Sequence, residues 1–388
     1  MISNKIKQRR LALGYSLQDV VEKLKPEGII ITRACISKYE NNKSIPNAKF
    51  LWKLSNIFNV PNDYFFIDNK IEIKWFAFRK HTDLTKKIEK RIKNYALEIA
   101  ESHKYLEDIM QYKLNKVKFV KNEISNIEEL EDVAESVRKE WNLGYWAIDS
   151  VTQLLEKEGY IVIDYEFENN KFDGLSGITN FGNPVIISKS NIDIDRKRFN
   201  LAHELGHQLI SCNPEIEEKA AYRFAGAFLI PRECVYNELG EKRRYININE
   251  LILLKEKYGI SVQALTKRCF DLGVITKNQY RNKFIHFRKN YWHKNEPGEC
   301  KQIEKPIKLK QMTLKAVAEG IITEHKAKSL CHDIVIEKNN KSDWKWKDLQ
   351  NMSRKEIDNV LSKASKIAED EYKNNKDLDF YNTIGELE

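Results

Sequence analysis

The sequence predicts a multidomain protein that is mainly α with a small α+β core. Three observations carry that prediction. Short, capped helical segments fill a basic N-terminal stretch. A long Lys-, Glu- and Ile-rich stretch nearly free of Gly and Pro follows. Three short β-branched runs then precede an apolar helix. The 388 residues leave room for two or three domains, and 41% hydrophobic residues suffice for real cores. No apolar run approaches the roughly 18 residues of a membrane span, so no membrane partner is expected. The basic start, Met1 to Arg10, lacks the apolar centre of a signal peptide. Six cysteines are scattered without a Cys-x-x-Cys pair, which argues against a zinc ribbon or disulfide scaffold and for the reducing cytoplasm. A net charge of +9 permits a polyanionic partner without requiring one.

Residues 1–68 form the first expected domain, with five short helices. Residues 1–66 hold eleven Lys or Arg against five Asp or Glu. The first helix spans about Asn4–Leu13 and ends at Gly14. Ser16 caps the second, with Asp19 placed to return the bond as in a capping box. Thr32 caps a third that runs to Glu40. Two more cover about Asn47–Phe58 and Asn62–Phe66. Arg9, Ser16-Leu17-Gln18, Ile36-Ser37-Lys38-Tyr39-Glu40, Pro46 and the Leu51, Leu54, Phe58, Val60 series resemble the helix-turn-helix domain of phage-repressor (Xre/Cro-like) regulators. The resemblance implies a double-stranded DNA operator as partner. Arg33, Ala34, Ser37 and Lys38 would face DNA and Gln18 would contact the backbone. The connection Lys25–Ile31 is about five residues longer than is usual in that family, so the angle of the reading helix is not fixed by the resemblance.

Residues 69–125 read as an amphipathic helical linker, with Ile88, Ile92, Tyr95, Ile99, Leu106 and Ile109 forming its apolar stripe and Phe78-Arg79-Lys80 just ahead of it. Its lysines suit a solvated face.

The third expected domain covers 126–235. Helices are expected over Ile127–Trp141 and Ala147–Glu158. Strands are expected over Tyr160–Tyr165, Asp173–Ile178 and Pro184–Ser188. Asp195 is placed to cap the next helix, which carries His203-Glu204-Leu205-Gly206-His207 and runs to Ile210. Two histidines four apart project from one helix face, so two imidazoles can reach one zinc ion at roughly 2.0–2.1 Å. Glu204 can then act as general base on a water beside that ion. After the break at Asn213-Pro214 a helix from about Glu215 to Leu229 folds back. Glu218 on it is the preferred third ligand, because Ala221, Phe224, Ala225 and Phe228 continue its face; Glu215 and Glu217 are rivals. Two His and one Glu leave the fourth zinc position open, as in catalytic sites.

Arg198-Phe199-x-Leu201-Ala202-His203-Glu204-Leu205-Gly206-His207, with Glu218-x-x-Ala221-x-x-Phe224-Ala225-x-x-Phe228-Leu229-Ile230-Pro231, closely resembles the ImmA/IrrE metallopeptidases. Phe172–Gly177 and Asn183–Ile187 match the strands that family places before its metal helix. The resemblance implies a zincin-like domain with a small sheet, zinc on His203, His207 and Glu218, and Glu204 as catalytic base. Tyr222 departs from the family, which often has Asn there.

Residues 236–335 resemble the helical extension of longer family members, with Ser261 as a cap; 336–388 read as a charged tail. Arg281–His293 mixes basic and aromatic residues in the manner of an aromatic core under solvated lysines. His286, His293, His325 and His332 lack zinc spacing. The expected function is that of a cytoplasmic, DNA-binding zinc endopeptidase, with an extended substrate pairing with the strand edge at Val185, Ile186 and Ile187. By the family resemblance the substrate is a regulatory protein, a helix-turn-helix repressor, in a stress, mobile-element or phage-related response. By analogy with repressor heads the chain is a homodimer. The alternative is a transcriptional regulator or antitoxin whose metallopeptidase-like domain senses or binds a partner without turnover.

Overall fold

The computed structural model describes residues 2–66, 71–76, 85–111, 121–166, 174–292, 294–331, 334–335, 353, 354, 358 and 362. Phe78-Arg79-Lys80, Phe172, Asp173, His293, His332 and nearly all of the charged tail lie outside them. The described residues 2–334 form one compact unit, with no helix long and apolar enough to cross a membrane.

The head comprises α1 (Ile2–Ala12), α2 (Leu17–Leu24), α3 (Arg33–Glu40), α4 (Ala48–Phe58) and a 3-10 turn at Asn62–Phe66. The local chemistry acts as read: Ser16 and Asp19 close the capping box on α2, and the Thr32 hydroxyl accepts from Cys35 N–H to start α3. Ile6, Val20, Leu24, Ile36, Leu54, Phe58 and Phe65 fill its core. Next come β1 (Ile73–Trp75), α5 (Lys86–Ile109), β2 (Asn122–Glu123), α6 (Leu130–Glu140), α7 (Val151–Lys157), β3 (Ile161–Tyr165), β4 (Gly174–Thr179) and β5 (Pro184–Lys189). They are followed by α8 (Ile194–Leu209), β6 (Ile210–Ser211), α9 (Glu217–Leu229), α10 (Arg232–Leu239), α11 (Ile248–Tyr258), α12 (Val262–Asp271), α13 (Lys277–Lys289), α14 (Lys308–Ala318) and α15 (Glu324–Leu330).

The main sheet has the order β1-β4-β5-β3. β3 and β5 are parallel, and β4 is antiparallel to both β5 and β1. Alternation along the strands divides two cores. Ile161, Ile163, Leu175, Val185 and Ile187 pack on α5 through Ile92, Ala96 and Ala100. Val162 and Ile186 join the larger core with Leu201, Leu205 and Leu209 of α8 and Phe224 and Phe228 of α9. Helix α5 is therefore a layer of the domain, and the stretch read as a linker also contributes β1.

Two further readings need correction. Val185, Ile186 and Ile187 do not form a substrate edge: β5 is paired with β3 on one side and β4 on the other, and all six of its residues are buried. Asp195 is not the cap of α8. Asp193 occupies that position, while Asp195, buried inside the first turn, pairs with Lys255 at 2.9 Å.

Candidate metal centre

The site rests on α8 and α9, which pack closely because small residues face each other. A Cβ at Gly206 would come within 3.1 Å of the Phe224 ring and 3.3 Å of Ala221 Cα, so glycine there sets the approach of the two helices. The first half of α8 is fastened by buried charge. Lys197 reaches Asp164 at 2.6 Å. Arg198, fully buried, donates to Glu304 at 2.6 Å and to the carbonyls of Ile148, Asp149, Tyr258 and Gly259. Such burial is tolerated because the guanidinium's donors are spent on acceptors.

One turn further on, His203 and His207 present their Nε2 atoms 2.9 Å apart. Across the helix gap, the Glu218 carboxylate lies 3.7 Å from His203 Nε2 and 3.5 Å from His207 Nε2. One donor atom from each residue falls within 4.8 Å of the others. Two imidazoles and a carboxylate around a common point, reached from two helices, suit a divalent cation such as zinc. His203 is buried and Glu218 half exposed, so the point is open on one side. Glu217, a rival ligand in the sequence, lies instead 3.4 Å from His207 Nδ1, the ring nitrogen facing away from the cluster. A carboxylate on the outer nitrogen fixes the imidazole's orientation.

Glu204 is buried against β4. Its Oε2 accepts from Ser176 Oγ at 2.8 Å, and a Cβ at Gly174 would stand 3.1 Å from its Oε1. Positions 174 and 176 share one face of the strand, so a glycine and a serine two apart give the carboxylate both room and a donor. This function of Gly174-x-Ser176 was not legible from the matched strand alone. Tyr222 stacks on Phe199 (6.0 Å between centroids), and its ring meets that of His203 edge-on at 4.4 Å. The two aromatics open onto a cleft of about 1030 Å³ between α8 and the helical extension, where Tyr280 and Phe284 form the far wall.

In the head, Gln18, Arg33, Ala34 and Lys38 are exposed on α2 and α3 and Ser37 is partly so. They lie far along the chain from the metal cluster and are not among its neighbours.

Residues 6–65 match the helix-turn-helix family, and residues 156–270 match a peptidase family described as the IrrE N-terminal-like domain. No curated protein matches the chain. By these two matches, the chain joins a DNA-binding helix-turn-helix head to a peptidase-like domain of the ImmA/IrrE type.

Proposed function

We propose that the protein is a cytoplasmic, DNA-binding metalloendopeptidase that cleaves a regulatory protein, with a transcriptional repressor as the substrate class. The observation that carries this reading is the convergence of His203, His207 and Glu218 beside a buried Glu204. His203, His207 and Glu218 would hold zinc. When bound, zinc supplies Lewis acidity toward a peptide carbonyl and lowers the cost of deprotonating water. Glu204 takes the proton of the attacking water and delivers it to the leaving nitrogen. Ser176 keeps the Glu204 carboxylate in one orientation, so its reactive oxygen need not be recruited from other rotamers. Because β5 is held between β3 and β4, an extended substrate would have to use the outer edge of β4, the strand that contacts Glu204 and whose Gly177–Thr179 stretch is covered by β1.

In the same proposal α3 reads DNA through Arg33, Ala34, Ser37 and Lys38, with Gln18 on the backbone and a homodimer spanning two half-sites. The direct test incubates the zinc-loaded chain with proteins encoded beside its gene. One of them should be cleaved by the wild type and left intact by Glu204→Gln with its zinc retained. Equal cleavage by both would sink the assignment of Glu204.

A further inference from the structure

We propose that β1 is a competitor, built into the chain, for the strand edge that leads to the metal centre. The inference rests on the preceding reading of that centre as a peptidase site and concerns its regulation. β1 runs antiparallel along the outer edge of β4, with Ile73 opposite Thr179, Lys74 opposite Ile178 and Trp75 opposite Gly177. Flanking bonds lengthen the pairing. Asn180 N–H donates to Glu72 O at 2.9 Å, and Phe76 N–H donates to Ser176 O at 3.0 Å. Residues 72–76 therefore hold the β4 edge from Asn180 to Ser176. They stop at the residue whose hydroxyl holds Glu204.

The direction of β1 gives the pairing its meaning. The segment runs from the Asn180 end toward Glu204, as would the part of a substrate N-terminal to its scissile bond. A substrate using that stretch of edge must displace β1, because each backbone group of β4 pairs with one strand at a time. Two features mark the place as fitted to this occupant. A Cβ at Gly177 would come within 2.9 Å of both Ile73 Cγ2 and Lys74 O and 3.0 Å of the Trp75 ring, so glycine is what admits β1 so closely. The hold is also light: β1 has three residues, none buried, against six fully buried residues in β5. A short edge strand with half-exposed side chains is the kind that opens locally while the rest of the sheet stays shut.

The test uses the full chain, zinc-loaded, and two hydroxamates. Acetohydroxamate reaches only the metal centre, whereas an N-acetyl tripeptide ending in a hydroxamate also needs the β4 edge on the β1 side. Lys74→Pro is the main variant. The bonds at Glu72 and Phe76 place the Lys74 N–H toward β4 by antiparallel alternation, and proline removes it. Calorimetry should show acetohydroxamate binding alike to wild type and Lys74→Pro, and the tripeptide hydroxamate binding the variant at least about tenfold tighter. Trp75→Ala, which keeps every backbone group, should give a smaller gain in the same direction. In the metal-free variant, hydrogen exchange at Ile178 should speed up, and a peptide of residues 71–76 added in trans should slow it again. Tripeptide affinities within twofold of one another in all three proteins, with acetohydroxamate bound, would overturn the inference about β1 alone. Failure of acetohydroxamate to bind any of them would overturn the peptidase reading, and the inference with it.

Discussion

Helices α5 and α8 cover opposite faces of one sheet, and both pair their buried charge until one later turn of α8 does something different. On α5, Glu98 and Glu101 are met by cations from the head: Arg9 at 2.6 Å and Lys5 at 2.6 Å, with Gln8 and Tyr64 adding hydrogen bonds. Lys5, Gln8 and Arg9 are buried and Tyr64 is partly so, and the result is a dock for the head on the face of the sheet away from the metal cluster. On α8 the first turns use the same device through Asp195, Lys197 and Arg198. The next turn departs from it, gathering two imidazoles and a half-exposed carboxylate around one point. Paired charge fixes elements in place, and gathered acceptors suit a cation. The difference separates the residues that hold the molecule together from those that give it chemistry.

That separation can be broken by substitution. The largest effect is expected at the cluster. His203→Ala should abolish stoichiometric zinc binding, read by elemental analysis after dialysis, whereas Glu204→Gln should retain zinc and lower cleavage by about 10²–10⁴-fold. Next comes Glu98→Ala, which leaves the Arg9 cation buried beside an empty place. Denaturant unfolding should register a loss of about 3–5 kcal/mol with zinc content unchanged. Glu218→Ala should behave in the reverse manner, with stability within about 0.5 kcal/mol of wild type and weakened zinc affinity. If Glu218→Ala proved as destabilising as Glu98→Ala, the contrast between paired charge on α5 and the ligands gathered by α8 and α9 would fall.

Smaller effects sharpen the comparison. Gly206→Ala should cost about 1–3 kcal/mol by forcing α8 from α9, despite alanine's better helix propensity, and should weaken zinc binding as well. A pH effect is expected from Glu107, near the end of α5, whose carboxyl burial pushes up to about 7. A raised carboxyl favours the folded state when protonated. Its contribution is present in full below the ordinary value of 4.5 and is lost as pH climbs through about 7. Glu107→Gln should therefore flatten the fall in stability between those two pH values, measured by thermal unfolding across the range. Least in size, Lys38→Ala in the head should reduce the salt dependence of DNA binding by about one unit of log–log slope if that lysine meets a phosphate. An unchanged slope would assign Lys38 elsewhere.

What could be read from the sequence follows the range over which each feature is encoded. The His203-Glu204-x-x-His207 spacing and the caps at Ser16 and Thr32 are local, set by neighbours within one helical turn, and the structure forms them where the residues indicate. Glu218 was accessible because α8 and α9 are consecutive and joined by a short turn. β1 was not. Ile73-Lys74-Trp75 is too short to carry a period, and its partner lies about a hundred residues away, at a register that no local pattern specifies. The run Pro184-Val185-Ile186-Ile187 marks a strand covered on both faces, but which of its hydrogen-bonding edges are paired is set by β3 and β4, which lie outside that local pattern. Asp195 against Asp193 is a cap misplaced by two residues, because both are acidic and only tertiary pairing with Lys255 separates them.

The central claim is that His203, His207 and Glu218 form one metal centre. Crystals of the full chain grown with zinc, and measured on both sides of the zinc absorption edge, test it most directly. The account predicts an anomalous peak between the Nε2 atoms of His203 and His207 and the carboxylate of Glu218. A zinc-replete crystal with no peak there, or with its peak on other residues, would contradict it.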